Sequence, residues 1–287
     1  MIAYRFLTDL PIDRLHSAFV SAFADYQVEM RMSLAEFEYR LLRDGVDASL
    51  SAGAFHNDQL VGLCLNAAGL WQGVATVYDA GTGVLPQYRG QGIATQLFQF
   101  IVSRMKELGY AQYLLEVLTT NEPAVALYRR LGFMDTRRLA VFRSHNRITK
   151  LKPPPAHIRE TSNPDWNLFK TFWSGYPSWQ NSIDAVQRVA KTTVVLEAYF
   201  DDRCLGYGVV SKTSGNLFQL AVNENYRRKG FGSQLLADLQ RHISSGEAIK
   251  VNNVDESSVE AVDFYKAIGF NLVLEQYELS LDLQSRR

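Results

Sequence analysis

Two stretches of this chain are copies of one another. Tyr88-Arg89-Gly90-Gln91-Gly92-Ile93-Ala94-Thr95-Gln96-Leu97 is matched by Tyr226-Arg227-Arg228-Lys229-Gly230-Phe231-Gly232-Ser233-Gln234-Leu235, with Arg89 and Arg227 standing 138 positions apart (227 − 89). A second pair follows in the same order: Ala124, Tyr128 and Gly132-Phe133, then Ala261, Tyr265 and Gly269-Phe270, with the tyrosines 137 positions apart (265 − 128). Two motifs recurring together at that distance mean a whole domain duplicated, not a short repeat stacked into a solenoid. The 287 residues divide into two units of ordinary domain size.

The boundary is expected between the copies, where Pro153, Pro154 and Pro155 can continue neither a helix nor a central strand. This gives a first domain over 1–147, a stiff linker over 148–156 and a second domain over 157–287. In the first half strands are expected near 2–7, 50–56, 60–67, 74–84, 112–118 and 133–143. Helices are expected over 11–25, 33–43, 92–108 and 122–131. Ser33 followed by Glu36 predicts a capping box, and Ile93, Leu97, Phe98, Ile101 and Met105 recur at helical spacing. The second half repeats the order. Strands alternating with helices predict an α+β fold, a mixed and mainly antiparallel sheet flanked by helices in each half.

Both copied segments run from a strand into a helix, where the first four N–H groups lack internal partners and the helix dipole favours an anion. Gly92 and Ala94 would let a diphosphate approach the backbone, with Arg89 and Gln91 adding side-chain donors. The second copy offers Gly230 and Gly232 behind the more cationic Arg227, Arg228 and Lys229. A dinucleotide-binding opening fits poorly, since no acidic residue stands at the ribose position. The missing Gly-Lys-Ser/Thr excludes a Walker loop.

The turn resembles the (Gln/Arg)-x-x-Gly-x-(Gly/Ala) signature of the GNAT superfamily of N-acetyltransferases. Asn121, Ala124, Leu127, Tyr128 and Gly132-Phe133 resemble its second signature. The resemblance covers essentially the whole chain, once per half. It implies acetyl-CoA as acyl donor, no metal, and direct attack by a primary amine of a small molecule or peptide. It also implies a coenzyme site at Arg89, Gly90, Gln91, Gly92, Ile93 and Ala94 for the diphosphate, with Val84 and Asn121 along the pantetheine arm. In the second half Val222, Arg227, Arg228, Lys229, Gly230, Phe231, Gly232 and Tyr265 correspond. Tyr128 would protonate the leaving sulfur, or else only pack against the coenzyme. Asp79, the carboxylate on the strand leading to the turn, would serve as base, or else bind loop amides. The loop between the first two helices would form the acceptor pocket, with Asp25 and Glu29 for a cationic amine and Tyr26 as a wall, unless it is simply solvated. The second half departs from the pattern: Ser258 replaces Asn121, and its strand Asn216-Leu217-Phe218-Gln219-Leu220-Ala221-Val222 has no carboxylate. The first half is therefore expected to be the catalytic one. The alternative for the chain is a CoA-binding sensor or interaction module without catalysis.

Charge narrows the partners. Lys plus Arg is 30 and Asp plus Glu is 30, so no global field draws nucleic acid or an anionic membrane. Cys64 and Cys204 have no partners at metal-ligand spacing, which fits a reducing cytoplasm. The uncharged run between Asp58 and Asp79 is broken by Gly62, Asn66, Gly69 and Gly73, so two strands are expected there and not a membrane span. Fused copies imply a monomeric pseudo-dimer or a homodimer.

Overall fold

The computed structural model describes residues 1–144, 148, 156–244 and 248–285. The proline run expected as the linker lies outside the described residues. In the first half the elements are β1 (Ile2–Phe6), α1 (Ile12–Ala22), α2 (Leu34–Asp44), β2 (Ala52–His56), β3 (Gln59–Trp71), β4 (Val74–Val84), α3 (Ile93–Glu107), β5 (Gln112–Leu118), α4 (Glu122–Arg130) and β6 (Met134–Arg143). The second half contributes β7 (His157–Glu160), α5 (Trp166–Lys170), α6 (Ile183–Arg188), β8 (Thr193–Phe200), β9 (Arg203–Ser211), β10 (Asn216–Val222), α7 (Phe231–Leu239), β11 (Lys250–Asp255), α8 (Val259–Ala267) and β12 (Asn271–Asp282). Among the described residues no helix is long and apolar enough to cross a membrane.

Local chemistry sets these boundaries. The Ser33 hydroxyl accepts from the Glu36 N–H, and the Glu36 carboxylate takes the Ser33 N–H at 2.7 Å, so the expected capping box starts α2. Gly45, at φ +77°, ends it in a left-handed turn. The buried face of α3 is Ile93, Leu97, Phe98, Ile101 and Met105, the stripe expected from spacing. The uncharged run is β3 and the start of β4, paired antiparallel from Gly62↔Val84 to Trp71↔Val74.

Two compact units result. One comprises Met1–Thr136 with Tyr277–Arg287, the other Arg137–Gln276. In the first, β1 to β5 lie in sequence order and the end of β12 lies beside β5. In the second, β6 pairs antiparallel with β11, followed by β10, β9, β8 and β7. Among the described strand registers β4 with β5 and β10 with β11 are parallel and the others antiparallel, so the pairing is mixed and mainly antiparallel as expected.

Each unit thus takes its last strand from the other half of the sequence. Leu279 (0% exposed) and Leu283 (3%) pack into the first unit's core beside Phe98, Tyr113, Tyr128 and Phe133. Thr136 ties this strand down through the Glu278 carboxylate at 2.9 Å. Leu279→Ala is therefore expected to cost about 2–5 kcal/mol. In hydrogen exchange the lost protection should fall on β4, β5 and α3 of the first unit. Loss confined to β10 and β11 would contradict the exchange.

Candidate active site

The site begins where two parallel neighbours part. β4 and β5 pair from Thr76↔Gln112 to Asp79↔Leu115, but β4 runs on to Val84. Its pairing with β3 skips Ala80, which bulges out. The Ala80 carbonyl accepts from Arg40 Nη2 of α2 at 2.9 Å. Leu85 N–H bonds to Val61 O across β3, so strand alternation turns the main-chain groups of Val84 and Thr82 toward the opening. The second unit repeats this: β10 and β11 pair over Asn216↔Lys250 and Leu217↔Val251, and Phe218 is the bulged residue.

At the mouth of the opening stands the turn. Gly90 and Gly92 lie at φ +75° and +76°, and a Cβ on either would meet no protein atom within 4 Å. Gly92 is the N-cap of α3 and no side chain caps that end; the first helical bond is Gln96 N–H to Gly92 O. Gly230, at φ +94°, is likewise the uncapped start of α7, and Arg228 takes the left-handed place of Gly90 at φ +62°. Both helix starts expose free N–H donors, as an anion site requires.

The Arg89 side chain, expected to donate to a diphosphate, is engaged with groups of the protein itself. Its Nε binds Val84 O at 3.0 Å, its Nη2 binds Ala22 O at the C-terminus of α1, and it forms a bidentate pair with Asp25 at 2.7 Å. Arg227 makes the same fold-back to Val222 O, Phe172 O and Glu260. These arginines hold the turn against the first helical region. Gln91 Nε2 reaches Gln87 O at 3.4 Å, and Lys229 folds onto Asn225 O and the Tyr226 ring. Asp25, expected to hold a cationic amine, is neutralised by Arg89. Glu29 stays exposed with Arg31 as neighbour.

Beneath the first unit's opening lies a polar cluster. Asp79 is 6% exposed, and its carboxylate accepts Gly81 N–H and the Thr82 hydroxyl, each at 2.8 Å. Burial pushes its pKa up to about 6, against the opposing pull of these bonds and of Arg40. Tyr128 is buried against Phe98 and Phe133, and burial beside Asp79 holds its phenol well above the usual value, so it stays protonated. Cys64 lies 3.3 Å from the Tyr113 hydroxyl, which donates to Asn66 Oδ1 at 2.5 Å. Asn121 caps α4 through Ala124 N–H and lies beside Tyr26. Asp79, Tyr128, Asn121 and Tyr26 thus come together, while Asp25 and Glu29 do not join them.

Sequence reasoning missed Thr82, Cys64, Asn66 and Tyr113. Their signal was positional: three lie on the strand pair flanking Asp79, but the one-residue bulge had to be known to put Thr82 on the face of Asp79. Gln27 was missed too; it reaches from the loop after α1 to Thr120 beyond β5.

The second unit is built differently at the same register. Matching Leu217↔Val251 to Asp79↔Leu115 sets Leu217, Leu220, Gly208, Val210 and Ile249 where the first unit has Asp79, Thr82, Cys64, Asn66 and Tyr113. Tyr265 keeps the place of Tyr128, buried beside Phe142 and Phe270 with its pKa raised. Ser258 starts α8 without a capping bond. A cleft of about 640 Å³ opens here, reaching from Trp173 and Tyr207 past Val222 to Arg228, Gly230 and Gly232.

Residues 12–133 match the model of the acetyltransferase (GNAT) family, and residues 162–279 match that of an acetyltransferase (GNAT) domain. N-alpha-acetyltransferase 30 of Schizosaccharomyces pombe is 37% identical over 87 residues, covering 30% of this chain and 58% of that protein. Thialysine N-epsilon-acetyltransferase of Mus musculus is 42% identical over 65 residues, covering 23% and 38%. The chain spans about half the length of the curated relatives it matches. A tandem GNAT protein from the clavulanic acid biosynthesis pathway superposes over 100% of both chains with a TM-score of 0.76 and 14% identity, a likeness of fold. With a splayed strand pair and an uncapped glycine turn in each unit, and a family match over each half, the chain belongs to the GNAT acetyltransferases as a tandem of two such domains.

Proposed function

We propose that this chain moves an acetyl group from acetyl-CoA to a primary amine of a small molecule or peptide, and that the first domain performs the chemistry. The observation that carries the assignment to the first domain is the polar cluster under its opening, where the second has Leu217, Leu220, Gly208, Val210 and Ile249 at the places of Asp79, Thr82, Cys64, Asn66 and Tyr113. The relatives named above act, by their names, on α-amino and side-chain amino groups, which supports an amine acceptor.

The residues present fit the coenzyme. Main-chain N–H groups from Gly90 to Ala94 would hold the diphosphate at an end that no side chain caps. The main-chain edge at Thr82 and Val84 and the Asn121 side chain would meet the pantetheine amides. The Val84 carbonyl already accepts from Arg89, so its N–H is the freer group. When bound, acetyl-CoA supplies the activated acyl group. Asp79, with a pKa of about 6, is placed to accept a proton from the amine. Tyr128, a buried neutral phenol, would donate to the departing sulfur. Tyr26 would form one wall of the acceptor's path, with Asp25 acting through Arg89 on the turn.

The second domain keeps the turn (Arg228, Lys229, Gly230, Phe231, Gly232) and the open cleft but has Leu217 at the place of Asp79. That favours coenzyme binding without transfer there. Amine-dependent release of thiol from acetyl-CoA across a panel of small amines and peptides tests the whole proposal. Thiol release with at least one primary amine is expected. Thermal stabilisation by acetyl-CoA with no release on any acceptor would make the chain a coenzyme-binding module instead.

A further inference from the structure

The bulge at Ala80 has a chemical consequence. In a regular strand Asp79 and Thr82 would face opposite sides, because side chains alternate. One extra residue between them brings both to the same face. There the Thr82 hydroxyl donates to Asp79 Oδ2 at 2.8 Å, and the Tyr128 phenol on α4 is its neighbour on the other side. The Cys64 thiol, directly across β3 from Thr82, closes the other side. The hydroxyl therefore sits between the group placed to receive a proton and the group placed to give one.

We infer that Thr82 is a positioning residue that links Asp79 to Tyr128 and returns the proton from one to the other in each turnover. This rests on the roles proposed above for Asp79 and Tyr128. A hydroxyl suits the task because it has one donor and two acceptor positions and its proton turns freely. With Asp79 charged, Thr82 donates to the carboxylate. After Asp79 has taken a proton from the amine nitrogen, that bond reverses: Asp79 donates to Thr82 Oγ1, and Thr82 turns its own proton to Tyr128. Tyr128 gives its phenolic proton to the sulfur as the new C–N bond forms and the C–S bond breaks. The amine has then lost one proton, the thiol has gained one, and Asp79, Thr82 and Tyr128 are restored. No oxidant or further reactant is needed. A wet route to bulk solvent becomes unnecessary, which suits a cluster in which Asp79 and Tyr128 are buried.

The second domain supports the linkage by contrast. Where Asp79 has become Leu217, the position of Thr82 has become Leu220, although a strand side chain at the mouth of a cleft can be polar without cost. The two residues are polar together or apolar together.

The test is Thr82→Val, nearly equal in volume but without the hydroxyl, with Thr82→Ala in reserve should the added methyl clash, and Thr82→Ser as the rescuing variant. Val or Ala is expected to lower kcat about 10- to 100-fold, short of the full worth of a general acid or base, while the KM for acetyl-CoA stays within twofold. Ser restores most of the rate. A readout independent of turnover is the carboxyl titration of Asp79, followed by 13C NMR in the coenzyme-free protein. Removing a donor that favours the charged form should move it upward from about 6. The groups facing that carboxylate are Arg40 of α2, Cys64 of β3, Tyr113 of β5, Tyr128 of α4 and Tyr26 of the loop after α1, and none is altered by these variants. A kcat within twofold of wild type in Thr82→Val, with the Asp79 titration displaced, would overturn the relay while leaving the roles of Asp79 and Tyr128 intact. Wild-type rates in both Asp79→Asn and Tyr128→Phe would remove those roles themselves, whatever Thr82 does.

Discussion

Replacing Asp79 by Asn is expected to lower kcat/KM for acetyl transfer by about 10²–10³, the usual worth of a positioned base, and to abolish the acid limb of the pH profile. In the wild type that limb should lie near pH 6, because burial lifts this carboxyl from an ordinary value of about 3.9 to about 6. The base form is gained as pH rises, so activity should fall on acidification through 6. Stability should move the opposite way. A carboxyl whose folded-state pKa lies above its unfolded value holds its proton more tightly in the folded protein. Its stabilising contribution is complete below the unfolded pKa, near pH 4, and is lost as pH rises through 6. Above that the buried charge costs about 3 kcal/mol by linkage. Asn carries no charge to bury. The variant should therefore melt higher than wild type at pH 8, with the advantage shrinking toward pH 4. A carboxylate kept merely to brace the bulge through Gly81 and Thr82 would still give the gain in stability but not the lost limb. An unaltered acid limb in Asp79→Asn would remove it from the chemistry.

The legible parts of this protein were those that depend on neighbours in sequence. The capping box at Ser33, the apolar stripe on α3 and the strand-to-helix turn at Gly92 are each written within a few residues, and each was found where expected. Long-range partnership was harder. Leu279 and Leu283 stand at alternating spacing, so one face of the last strand had to be buried; nothing in alternation says whose core receives it. The same limit applies at the site. Arg89 stands at the signature position, yet whether its guanidinium points at a ligand or folds back depends on Asp25 and the end of α1, both more than sixty residues away in sequence. Thr82 was hidden for a different reason. A strand read with strict alternation puts it on the wrong face, and the bulge at Ala80 comes from pairing with β3, not from any residue beside it.

Gly92→Val should eliminate coenzyme binding in the first domain, and with it thiol release, whereas Gly230→Val should eliminate binding in the second and leave release in place. The two substitutions pose the same physical problem in different units. At φ +76° and +94° an L residue pays about 1–2 kcal/mol of backbone strain, more when β-branched. At Gly92 an added Cβ meets no protein atom within 4 Å, so the strain is confined to the backbone turn. Its methyl groups instead occupy the space at which the free N–H groups of α3 are aimed, and that is where the diphosphate would sit. Titration calorimetry with acetyl-CoA should count two sites in the wild type, one in either variant and none in the double variant. Melting reports the same loss: coenzyme at a hundredfold its dissociation constant adds about 2.7 kcal/mol per site, and each substitution should remove one such increment. Because the second domain lacks Asp79 and Thr82 equivalents, rate and occupancy should come apart: release follows Gly92 alone, while binding follows both glycines. Release that persists in Gly92→Val and disappears in Gly230→Val would transfer the chemistry to the second domain. Two occupied sites in the double variant would refute coenzyme capture by main-chain amides at these helix starts altogether.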